Sequence, residues 1–135
     1  MVDGEAKKNE REVLRKLEEK IGVLLDNTTY ENLADILTFI RDNIETELIV
    51  AVKGGNGGLE LNPVKTGDGK RFFAMFTSFD EQMKGPSKVQ STYEVSFKSI
   101  FDFVMKSGEV DGIMINPFGR AFRMERQLIE VIVNS

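Results

Sequence analysis

Cysteine and histidine are both absent from this chain of 135 residues. Without cysteine there is no disulfide framework, no thiolate nucleophile and no thiolate-held zinc or iron–sulfur site. Without histidine the usual general base near neutral pH and the commonest metal ligand are gone as well. Most hydrolytic triads and zinc centres are excluded by this inventory, and neither a cofactor nor a metal is expected. Long apolar runs are missing too. Leu48 to Val52 is typical of those present, far short of a bilayer core of roughly 30 Å. The opening MVDGEAKKNERE lacks the apolar centre of a secretory signal. A cytoplasmic location with no membrane partner is the expectation. Positive charge is in deficit, 18 Lys and Arg against 22 Asp and Glu for a net charge of −4. No basic block stands out, which argues against nucleic acid, because that affinity rests on neutralising phosphates.

What is present suits a soluble globular domain: 41% hydrophobic and 30% charged residues. A chain of this length buries about two-thirds of the surface its unfolded form exposes. Leu14, Leu17, Ile21 and Leu24 recur at helical steps within residues 5–25. The stripe predicts a helix packed on its own domain or a mobile N-terminal arm or, alternatively, a homodimer seam through residues 5–25. Thr28-Thr29-Tyr30-Glu31 has the form of a capping box. It predicts a second helix to about Ile44 that buries Leu33, Ile36, Leu37, Ile40 and Ile44.

The period then changes. Leu48–Val52 reads as a strand buried on both faces. GGNGG at 54–58 interrupts it, Leu59–Leu61 resumes as a strand, and Thr66-Gly67-Asp68-Gly69 turns into the strand Arg71–Thr77. Short glycine-rich connections predict an antiparallel meander of these three. Ser78-Phe79-Asp80-Glu81 opens a short helix that should stop at Gly85-Pro86. Val89–Tyr93 fits either strand or loop. Phe97, Ile100, Phe101, Val104 and Met105 mark a helix over Ser96–Lys106, with Gly108 placed as a C′ residue. Leu128, Ile129 and Ile132 mark a last helix over Glu125–Val133. The fold class is α+β: an N-terminal amphipathic helix pair (1–46), then an antiparallel or mixed sheet of about five strands packed with helices (47–135), all one compact unit.

GGNGG superficially suggests a phosphate cradle. Such a cradle needs a helix N-terminus after the glycines, whereas LELNPV follows and no GK[ST] occurs. A hairpin loop is the simpler reading. Among the carboxylates, Asp80 and Glu81 complement a helix dipole, Asp68 sits in a turn, and Asp111 caps a loop or serves as a ligand. Asn116-Pro117-Phe118-Gly119 satisfies the preferences of a type I turn. With Gly119 in the left-handed region, Gly112–Asn116 would pair with Arg120–Met124 through a three-residue loop. At that tip Phe118, Arg120 and Arg123 form a candidate interaction surface; the simpler alternative buries Phe118 and Phe122 and pairs the arginines with Glu125 and Asp111.

RFFAMFTSFDEQ (71–82), SFKSIFDFVM (96–105) and VDGIMINPFGRAF (110–122), in that order and spacing, resemble the N-terminal domain of the SseB (enhanced serine sensitivity) family of bacterial proteins. The resemblance covers roughly residues 47–133. It implies a cytoplasmic bacterial domain with no established reaction, cofactor or catalytic set. Phe76, Thr77, Ser78, Asp111, Gly112, Asn116 and Pro117 match the family's pattern, and backbone geometry makes most of them, with Gly119, structural. The expected function is a non-catalytic protein-interaction or regulatory accessory module with a protein partner. The alternative is a small-molecule or nucleotide-binding protein, an enzyme included, using Gly54–Gly58 or a pocket near Asn116.

Overall fold

The computed structural model describes the backbone of residues 2–55, 58–61, 63–85 and 91–135, and side chains within 9–51, 63–85 and 92–135. The order of elements is α1 (Val2–Asp26), α2 (Tyr30–Asp42), β1 (Glu47–Gly55), β2 (Gly58–Leu61), β3 (Pro63–Lys65), β4 (Arg71–Met75), α3 (Phe79–Met83), β5 (Ser91–Ser96), α4 (Phe97–Lys106), β6 (Gly112–Ile115), β7 (Phe122–Glu125) and α5 (Arg126–Val133). The α+β class holds. The strands form two ladders, β2-β1-β5 and β3-β4-β6-β7, joined among the described residues by an antiparallel bridge between Ile49 and Phe76.

Helix α1 forms where the four-residue spacing of apolar positions predicts it. Leu17, Ile21 and Leu24 are buried in the same cluster as Ile113, Ile115, Phe122 and Met124 of the sheet. The stripe is thus covered within the chain. Its end is closed by the Thr28 hydroxyl, which donates to Leu24 O at 3.0 Å. The cap of α2 lies one residue later than the Thr28–Glu31 box implies: Asn32 N donates to Thr29 Oγ1 at 3.1 Å. Ile36 and Ile40 of α2 and Phe97, Ile100, Phe101 and Val104 of α4 complete the helical side of the core.

The meander is only half present. Strand β2 pairs with β1, Gly55 opposite Gly58, so the glycine run leads into a strand and not a helix; Asn56 and Gly57 lie outside the described residues. Strand β3, however, leaves that ladder and pairs with β4. Strand β4 then lies parallel to β6, Phe72 opposite Gly112 and Met75 opposite Ile115. A parallel neighbour requires a long crossover, and the segment carrying α3, β5 and α4 supplies it. Val89–Tyr93 resolves in part: β5 begins at Ser91 and pairs antiparallel with β1, while Val89, Gln90 and the helix-stopping Pro86 lie outside the described residues.

The type I turn with a left-handed glycine occurs, but at the β3–β4 hairpin. Gly69 N donates to Thr66 O at 3.0 Å and Thr66 N to Lys70 O at 2.9 Å, and Gly69 has φ 83°, the pattern of a three-residue loop with a bulge. The β6–β7 hairpin differs from expectation. Ile115 pairs with Phe122 and Gly112 with Glu125, one residue away from the three-residue-loop register. A one-residue slip exchanges sheet faces; the observed register puts Phe122 and Met124 on the core face. Gly119 N does donate to Asn116 O at 3.1 Å, yet the left-handed residue is Asn116, at φ 52°. Gly108 likewise has no left-handed φ. Helix α4 ends instead with Ser107 in extended conformation.

Candidate functional site

The parallel pair β4 and β6 delivers Thr77 and Asn116 side by side at its carboxyl end. Both are buried, at 6% and 4% exposure, so their polar groups need partners. They supply each other: Thr77 N donates to Asn116 Oδ1 at 3.0 Å, and Asn116 Nδ2 donates to Thr77 Oγ1 at 3.0 Å. The Thr77 hydroxyl in turn donates to Glu18 Oε1 of α1 at 2.5 Å. Asparagine tolerates the left-handed conformation better than most residues, and here the strain is held by a closed amide pair. Asn116 N also donates to Met75 O at 2.8 Å, extending the β4–β6 ladder by one bond.

Above this network lies a cleft of about 210 Å³ lined by Glu18, Ile21, Glu81, Lys84, Asn116 and Arg120. Helix α1 contributes the first two, α3 and its C-cap residue the next two, and the β6–β7 loop the last two. The charges are already paired at its rim. Lys84 Nζ reaches Glu81 Oε2 at 2.5 Å, and Arg120 reaches Asp26 at 2.6 Å. Glu81 Oε1 is buried with no donor among the described residues. Ser78 caps α3 through Glu81 N at 3.2 Å as predicted, so the box that starts the helix also fixes an acid at the cleft. The cleft can receive a small ligand bearing both donors and acceptors. Among the described residues no group of three or more carboxylates is placed to hold a metal ion.

The predicted tip surface does not stay together. Phe118 stacks on Phe76 with ring centroids 5.9 Å apart and remains 39% exposed. Its ring lies against Gly85, where a β-carbon would collide with it. Arg120 turns toward α1. Arg123 instead packs over Phe72, 4.5 Å from the ring centroid, and pairs with Asp68 of the β3–β4 hairpin at 2.7 Å. That carboxyl is held well below the usual range, first by the Thr66 hydroxyl, then by Arg123 and by Lys70 N–H. The expected Arg123–Glu125 pair is long, at 3.8 Å, and neither arginine bonds to Asp111. Asp111 ties strand ends instead: its Oδ2 accepts from Arg71 N at 2.9 Å. Gly112 is required by close approach, since a β-carbon there would strike the Met124 carbonyl.

Sequence reasoning missed Glu18, Lys84 and Asp26 as neighbours of the tip, because each comes from a helix distant in the chain. It also missed Arg126, whose guanidinium donates to Val110 O at 2.8 Å and to Ser107 O, closing the α4–β6 loop. No local pattern marks a residue whose partners are main-chain carbonyls of another loop. Helix α3 presents Phe79 and Met83 at 61% and 73% exposure, one turn apart and so on one face.

No family model matches the chain, and neither a curated protein nor a solved structure matches it. Among the described residues, no helix is long and apolar enough to cross a membrane.

Proposed function

We propose that the chain is a protein-interaction module, acting as a regulatory or accessory domain through the surface formed by α3 and the β6–β7 loop. The observation that carries this reading is the exposure of Phe79 and Met83, one turn apart on α3, together with that of Phe118 on the β6–β7 loop, whose ring lies against Gly85 just past that helix. Large apolar side chains exposed side by side, as Phe79 and Met83 are, mark binding sites more often than scattered ones do. The resemblance to the SseB N-terminal domain, itself part of the proposal, fits a bacterial cytoplasmic domain without a reaction. Affinity capture with the native chain and with a Phe79→Ser/Met83→Ser variant tests it. A partner retained by the native chain and lost with the variant is expected; equal capture by both overturns the assignment of this surface.

A second reading, small-molecule binding, is favoured by the cleft beside Asn116 and its four charged side chains. A thermal-shift series with amino acids and nucleotides separates the two. A ligand at a hundred times its dissociation constant stabilises by about 2.7 kcal/mol, and the gain should vanish in Lys84→Ala if the cleft is the site.

A further inference from the structure

The four sheet edges are not equally defended. An edge strand exposes unpaired backbone groups, and proteins blunt it with short length, proline, charge or a bulge. Strand β3 has three residues and includes Pro63 and Lys65. Strand β7 has four, with Arg123 and Glu125, and β2 has four, with Glu60. Strand β5, the outer strand of β2-β1-β5, is the exception. It has six residues, STYEVS, with no proline, no lysine and one charge.

Hydrogen-bond alternation identifies which groups that edge presents. Ile49 exchanges both backbone bonds with Phe76, at 3.0 and 2.8 Å, and therefore turns them away from β5. Its partner Glu94 then belongs to a non-hydrogen-bonded pair, and in an antiparallel ladder such pairs alternate with bonded ones. Leu48–Val95 and Val50–Tyr93 are the bonded pairs. Glu94 and Thr92 consequently point their N–H and C=O groups outward, and among the described residues nothing bonds to them beyond the strand. Tyr93 shares a sheet face with the buried Val50 and the core-packed Val95, yet is 47% exposed. The apolar face of this sheet thus reaches its edge only partly covered, at Tyr93.

The geometry points to a second copy of this chain as the occupant: β5 pairs antiparallel with β5 of the other copy, joining the two ladders into one continuous sheet. Outward-pointing residues must face outward-pointing residues. A two-fold axis at Tyr93 achieves this with Thr92 opposite Glu94 and Tyr93 opposite Tyr93. It engages residues 91–95 throughout. An axis at Glu94 would set two carboxylates against each other, which is destabilising, and an axis at Thr92 shortens the pairing. Charge and length of pairing together select the register.

Sedimentation equilibrium on the full chain, from low to high micromolar concentration, should show a reversible dimer. Thr92→Lys places a cation opposite Glu94 twice and should tighten it. Thr92→Glu places like charges there and should loosen it, each by about two- to tenfold given ordinary cross-strand pair energies. The natural chain has no cysteine, so Tyr93→Cys carries a single thiol. Directly opposed residues of a non-hydrogen-bonded pair have Cα atoms about 4.5 Å apart, within disulfide range. Oxidation should give a covalent dimer from Tyr93→Cys and far less from Tyr30→Cys, although Tyr30 is the more exposed of the two, at 91%. A monomer at every concentration overturns the proposal, as do equal cross-linking of the two variants or shifts of the same sign for Thr92→Lys and Thr92→Glu. Binding of an extended peptide along β5 by a chain that stays monomeric also overturns it.

Discussion

Asn116 concentrates more constraints than any other side chain near the cleft. It is buried, left-handed and the donor and acceptor in a closed pair with Thr77. Asn116→Ala should cost roughly 1–3 kcal/mol, from the left-handed strain of alanine together with a buried Thr77 N–H left without its acceptor. Asn116→Gly removes the strain but not the lost bonds, and should recover only part of that cost. Urea unfolding of the three proteins checks the order, native above glycine above alanine. An alanine variant as stable as the native chain would refute the account. The turn signature NPFG was legible because proline and glycine preferences are local, and the Gly119-to-Asn116 hydrogen bond is present. Which residue becomes left-handed was not legible, because Thr77 lies 39 positions away and decides it.

At the scale of elements, the β3–β4 hairpin is a turn clamped by charge. Asp68 accepts from the Thr66 hydroxyl, from Lys70 N at 3.2 Å and from Arg123 of β7 at 2.7 Å. These bonds depress its pKa. A carboxyl whose folded pKa is lowered stabilises fully above its unfolded value, about 3.9, and loses that contribution as pH falls through the folded value. The melting-temperature difference between the native chain and Asp68→Asn should therefore be constant from pH 7 to pH 5 and shrink below pH 4. A difference that grows on acidification would contradict the sign. The carboxylate is exposed, so salt should weaken the effect. The hairpin itself was evident from Thr-Gly-Asp-Gly. Its bond to β7 was not, since cross-strand neighbours depend on the β6 insertion between β4 and β7.

For the molecule as a whole, α1 is part of the core. Leu17, Ile21 and Leu24 pack in one cluster with residues of β6, β7, α4 and α5. Ile21→Ala should cost about 2–5 kcal/mol, as a buried truncation that leaves a cavity. Denaturation should remain a single transition, because α1 shares one core cluster with the sheet and with α2, α4 and α5. A cost under about 1 kcal/mol, or a separate early transition for residues 1–26, would show α1 to be peripheral. Glu18, on the same helix, reaches Thr77 across the cleft. Docking of α1 thereby assembles the candidate site as well as the core.

Periodicity and local chemistry by themselves determined the α+β class, the faces of α1, α2, α4 and α5, the Ser78 cap and the existence of the β1–β2, β3–β4 and β6–β7 hairpins. These follow from interactions within a few residues, where a three- or four-residue spacing or a turn preference carries the needed information. Only the tertiary structure decided that β3 leaves β2 for β4, that β4 and β6 run parallel, and that Phe118, Arg120 and Arg123 part company. It also brought Glu18, Thr77 and Asn116 together. Those outcomes depend on which distant surfaces exclude water together, and chain proximity says nothing about that.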